Sequence, residues 1–186
     1  MSRSPPPGIL ASMQNETTQR SLDSVGARII PTFRVVTVFE DLRTARQAGR
    51  AYDFLVANLT HEWRVTSEMW KFELLGHLGL RELAAKDAAV ADLVIIACRG
   101  DRELPLHVSA WIEIWLSYQP QAVALVSLLD YPHGRPRNGE LAKPYLQGAA
   151  ERAHMEFFAW PAGVPQQSVV LQEVLASMAE PLFEAA

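Results

Sequence analysis

"ADLVIIACRGDRELPLHVSAWIEIWL", residues 91–116, decides how this chain is read. Its segment "DLVIIAC" (92–98) is an unbroken apolar run of strand length, which predicts a strand covered on both faces, as strands of parallel sheets are. "RGDREL" follows as a charged loop. Beyond it Val108, Trp111, Ile112, Trp115 and Leu116 recur at helical spacing, which predicts an amphipathic helix over residues 107–118 with this stripe inward. Strand, charged loop and helix make one βα unit. The loop then lies at the carboxyl end of the strand, where open α/β sheets hold their ligands.

The same unit recurs in both directions. Strand-like runs "RVVTVF" (34–39), "EWRVTSEMWKF" (62–72), "AVALVSLL" (122–129) and "MEFFAW" (155–160) accompany the central one, with starts roughly 30 residues apart, the length of a βα repeat. The second alternates more than the others and belongs at an edge. Helices are predicted over 42–59, with Ala45, Ala48, Gly49, Tyr52, Leu55, Val56 and Leu59 inward, over 80–91, over 143–153 and over 168–182, with Val170, Val174, Leu175 and Met178 inward. Pro144 suits the first turn of its helix. Five βα repeats with right-handed crossovers predict a three-layer α/β domain, a doubly wound five-stranded parallel sheet of flavodoxin-like order 2-1-3-4-5.

With 186 residues, 49% of them hydrophobic, the chain is long enough for one domain with a sizeable core. Residues 1–31, rich in Pro, Ser, Thr, Gln and Asn, read as a disordered leader, and 32–186 as the domain. The 17 basic and 21 acidic residues are intermingled at a net charge of −4, so neither nucleic acid nor an anionic membrane is an expected partner. No apolar run approaches the roughly 20 residues of a membrane span. A single cysteine, Cys98, forms no internal disulfide, which suits a reducing cytoplasm.

"ADLVIIACRGDRELPLHVSAWIEIWL", with Ala91 and Asp92 before the strand, Leu104 and Pro105 entering the helix and Trp111-Ile112-Glu113 near its middle, resembles the third βα unit of flavodoxin-like NAD(P)H-dependent FMN reductases. "AVALVSLLD" and "MEFFAWP" are similar to that family's fourth and fifth strands, and the resemblance spans about residues 33–161. It implies an FMN phosphate held by backbone N–H groups in a Ser, Thr and Gly rich turn after the first strand. This chain has "FEDLRTARQ" there. Glu40 and Asp41 would face the phosphate, and a like-charge pair at 4 Å costs about 4 kcal/mol at an effective dielectric of 20. Only Arg43 and Thr44 favour an anion. The family's aromatic residue in the third loop is absent from "CRGDREL". The cofactor site is therefore read as degenerate, with no cofactor expected and an FMN-binding reductase as the alternative.

Receiver domains of response regulators share this sheet and open their site with an acidic pair, which Glu40 and Asp41 match as weak candidates for Mg²⁺. Ala97 or Cys98 stands where the phosphoacceptor Asp belongs and Trp160 where the Lys before Pro belongs, leaving a pseudo-receiver as a second alternative. The histidines lack the spacing of a zinc site, and no nucleophile elbow, Walker loop or dinucleotide fingerprint is present. Sheet topology alone gathers one candidate polar site from the loops at the carboxyl edge: Glu40, Asp41, Arg43, Thr44, Arg99, Asp101, Arg102, Asp130 and His133, with Arg135 and Arg137 as a clamp for an anionic group. The expectation is a non-catalytic module for a small polar ligand or a protein partner. Ala110, Ile114 and Tyr118 form a second apolar face on helix 107–118, and self-association as a homodimer is expected there.

Overall fold

A computed structural model describes residues 30–59, 63–131 and 141–161, with the helical Gln172 and Ala176 beyond them. Five strands, β1 (Thr32–Phe39), β2 (Arg64–Lys71), β3 (Leu93–Arg99), β4 (Ala124–Asp130) and β5 (Glu156–Pro161), all pair in parallel in the order 2-1-3-4-5. The helices are α1 (Leu42–Leu59), α2 (Leu78–Ala89), α3 (Leu106–Ser117) and α4 (Ala142–Arg152). The expected strand order stands, with the alternating β2 at an edge. No helix among the described residues is long and apolar enough to cross a membrane. The expected leader and the helix at 168–182 lie outside the described residues, apart from Gln172 and Ala176.

Period-two alternation sends the strands' side chains into two cores. On one face Val36, Val94, Ile96, Cys98, Leu125 and Leu129 meet α2, α3 and α4, whose contribution includes Trp111, Ile112 and Trp115. On the other Val35, Leu93, Ile95, Ala97, Val126 and Leu128 meet Ala48, Ala51 and Leu55 of α1. β3 and β4 are covered from both sides, which is why they read as unbroken apolar runs.

Three local differences from the sequence reading have physical causes. A 3-10 turn, Phe72–Gly76, follows β2 and buries Phe72 and Leu75, and α2 starts at Leu78 rather than 80. The inward stripe of α1 is Thr44, Gln47, Ala48, Ala51 and Leu55, rotated toward two polar residues that bond at the sheet's carboxyl edge. On the face expected to self-associate, Ile114 is partly buried against the α2–α3–α4 core, while Tyr118, just past the end of α3, stays 38% exposed and donates its hydroxyl hydrogen to Glu82 of α2.

At the start of β3, the half-buried Asp92 carboxylate accepts the Arg34 N–H at 2.7 Å. Burial lifts its pKa above the usual carboxylate value, against the opposing pull of that N–H. A carboxyl that keeps its proton longer when folded weakens the fold as pH rises from the unfolded-state pKa through the folded one, and the loss is complete above the latter. Asp92→Asn, which retains an acceptor for Arg34, is expected to raise stability at neutral pH. Solvent screening of a half-exposed group holds the gain to roughly a few tenths of a kcal/mol. Thermal unfolding at two pH values checks this, since the difference should vanish below about pH 4.

Candidate functional site

The carboxyl ends of β1, β3 and β4 bring the predicted charges together, because their registers align Phe39 with Ala97 and Arg99 with Asp130. At the β1–α1 turn Asp41 caps the helix. Its Oδ1 accepts the N–H groups of Arg43 and Thr44, both at 2.9 Å. The Thr44 Oγ1 reciprocates by accepting the N–H groups of Glu40 at 3.1 Å and Asp41 at 2.9 Å. Glu40 N–H also donates to the Ala97 carbonyl, and Ala45 N–H to the Asp41 carbonyl. This reciprocal cap is worth about 1 kcal/mol. The amides that would otherwise face an anion at the positive end of α1 already hold protein oxygens, one of them a carboxylate.

The other charges neutralise one another. Glu40 Oε2 accepts the Arg99 N–H at 2.7 Å, and the carboxylate pairs with Arg102, binding the β1 turn to the β3 loop. Arg99 forms a bidentate pair with Asp101 at 3.0 and 2.7 Å, and this bond raises the guanidinium pKa further. Asp130, buried at the end of β4, takes Arg43 Nε at 3.0 Å on one oxygen and Gln47 Nε2 at 3.2 Å on the other. Gly100 N–H donates to the Asp130 carbonyl, and a Cβ on Gly100 would lie 2.4 Å from the Tyr131 ring, so glycine lets β3 turn beneath that ring.

Of the candidate residues, Glu40, Asp41, Arg43, Thr44, Arg99, Asp101, Arg102 and Asp130 thus converge at one edge, while His133, Arg135 and Arg137 lie outside the described residues. The Glu40 and Asp41 carboxylates are directed to different donors, and no group of three or more His, Cys, Asp or Glu positioned for a metal occurs among the described residues. Gln47 was missed, since a polar residue on an apolar stripe is invisible to hydrophobic periodicity. Its spacing from Thr44, Ala48, Ala51 and Leu55 is the signal that would have found it. Ala97 and Cys98 are buried, and burial pushes the Cys98 thiol up to about 12, so neither offers a nucleophile to the edge. A cavity of about 220 Å³ beside the β3–α3 loop is lined by Glu103, Leu104, Ser109, Leu141 and Tyr145.

A parallel sheet of this order with helices on both faces is the flavodoxin-like arrangement, and this chain has that fold. Among solved structures the chain is similar to rubredoxin oxygen:oxidoreductase from Desulfovibrio gigas, at 11% identity and a TM-score of 0.51, over 83% of this chain and 37% of that one. The match therefore spans a little over a third of that protein's length, and it concerns the fold. General stress protein 14 from Treponema denticola, solved in complex with FMN, matches at 12% identity and a TM-score of 0.34, over 81% of this chain and 95% of that one. No protein-family model and no curated protein sequence matches the chain.

Proposed function

We propose that this flavodoxin-like domain is a non-catalytic binding module that meets a protein partner at the carboxyl edge of its sheet. The observation that carries the reading is the self-capped β1–α1 turn. Asp41 and Thr44 occupy the amides that a flavin phosphate would need, and Glu40 adds a carboxylate beside them. The first residues of α1, α2 and α3 also present apolar side chains to solvent: Leu42 is 68% exposed, Leu78 77% and Leu106 85%. Exposed apolar side chains together with paired charges resemble the make-up of protein-binding surfaces more than that of a cofactor cleft.

FMN added to micromolar protein is expected to show no saturable change in fluorescence, and acetyl phosphate with Mg²⁺ is expected to leave no acyl phosphate on the chain by mass spectrometry. A dissociation constant for FMN in the micromolar range or below would overturn the reading in favour of the FMN-binding reductase. Stoichiometric phosphorylation would overturn it in favour of a receiver.

A further inference from the structure

β2 is an edge strand of eight residues, bonded among the described residues to β1 on one side only. A strand edge of this length is a template for further pairing unless something blunts it. The Arg64 N–H donates to the Pro31 carbonyl at 2.8 Å, toward β1. Main-chain groups alternate in direction along a strand, so those of Thr66 and Glu68 also face β1, while those of Val65, Ser67 and Met69 face outward. Side chains alternate as well. Trp63 and Val65 pack on the α1 layer, whereas Arg64, Thr66 and Glu68 stand exposed on the opposite face of the strand. Neither Arg64 nor Glu68 has an ion-pair partner among the described residues.

We propose that β2 pairs with β2 of a second copy of this chain, antiparallel, about a two-fold axis through Thr66. Outward groups meet outward groups only when the axis passes through a residue, which leaves few registers. An axis through Glu68 sets two carboxylates face to face. One through Ser67 sets Thr66 against Glu68 and Arg64 against Trp70, and one through Val65 sets Arg64 against Thr66. The axis through Thr66 places Arg64 of each copy opposite Glu68 of the other, in the narrow pair type where side chains come closest. In the same register Val65 and Ser67 exchange both main-chain hydrogen bonds with their mates. Met69, 49% exposed in the single chain, then lies opposite Trp63 of the second copy. Trp63 is already edge-on to Phe33, with centroids 6.2 Å apart, and a methionine sulfur beside the ring completes its cover. The product is one continuous sheet through both copies.

Sedimentation equilibrium of the full chain tests this. The protein is expected to be a dimer at tens of micromolar. Glu68→Arg turns two attractive pairs into two repulsive ones and is expected to weaken the dimer by about tenfold or more. Adding Arg64→Glu to that variant is expected to restore the original dissociation constant, which a merely destabilised fold would not do. Ser67→Pro removes an outward N–H without touching the β1 ladder, and is expected to give a monomer with an unchanged far-UV spectrum. A wild-type chain that is monomeric at these concentrations would overturn the proposal. So would a dimer that Glu68→Arg leaves intact, whatever Ser67→Pro does to folding.

Discussion

Trp111→Ala is expected to lower the free energy of unfolding by about 3–5 kcal/mol, read from urea denaturation. Trp111 is fully buried on α3 and stacks on Trp115, one turn along, with ring centroids 5.5 Å apart and planes 13° from parallel. Truncation removes the largest kind of side chain from a core that α2, α3, α4 and the sheet all share, and the backbone of α3 is held too firmly to fill the space. A second substitution separates volume from polarity. The Trp111 indole N–H has no hydrogen-bond partner among the described residues, so Trp111→Phe deletes a buried donor left unpaired there along with some apolar area. Phenylalanine keeps most of the ring and leaves only a small cavity, so its expected cost is about 1–2 kcal/mol, well below that of alanine. Equal losses for the two variants would show that the indole itself, and not an aromatic ring filling the space, anchors α3.

The contrast between α3 and α1 explains how much of this molecule was legible in its sequence. Val108, Trp111, Ile112 and Trp115 are inward as their spacing predicts, because a wholly apolar stripe admits one orientation of the helix. α1 defeats the same rule. Its inward face begins with Thr44 and Gln47, which are there for their hydrogen bonds and not for their hydrophobicity, so the apolar pattern points the helix a fraction of a turn wrong. Sheet order followed from the repeat of βα units and the alternation in β2. The 3-10 turn after β2 did not, since Phe72 and Leu75 are buried by where the chain leaves the sheet and not by a period of their own. At the site, topology predicted which loops converge. It could not predict that Glu40 would bridge to Arg99 and Arg102, or that Asp41 and Thr44 would seal the helix end, because those partners depend on side-chain reach across the sheet's edge. The acidic turn was read as hostile to phosphate by charge. In the structure the amides of that turn bond the Asp41 and Thr44 side chains, a pairing that charge alone does not reveal.

Asp130→Ala and Asp130→Asn are expected to separate sharply, and the difference tests whether this edge is held by a hydrogen-bonded network or by charge. Asp130 is 3% exposed and serves Arg43 on one oxygen and Gln47 on the other, while 61% of the Arg43 side chain is exposed. Losing the charge therefore strands no buried cation, because Arg43 turns to water and its share in the pair is that of a surface ion pair, about 0–1 kcal/mol. Gln47 is different. It is 5% exposed, its Nε2 has Asp130 as acceptor, and its Oε1 is buried with no donor among the described residues. Alanine at 130 leaves both ends of that amide unsatisfied and opens a small cavity, for an expected loss of about 2–3 kcal/mol. Asparagine keeps the shape, its amide oxygen stays the acceptor of Gln47 Nε2, and its NH₂ group takes the side that faced the exposed Arg43. The asparagine variant then costs only the surface pair, under about 1 kcal/mol. Urea denaturation of the two variants in parallel decides the matter: if asparagine is as damaging as alanine, the negative charge itself, and not the geometry of the Asp130–Gln47 bond, holds α1 to the end of β4.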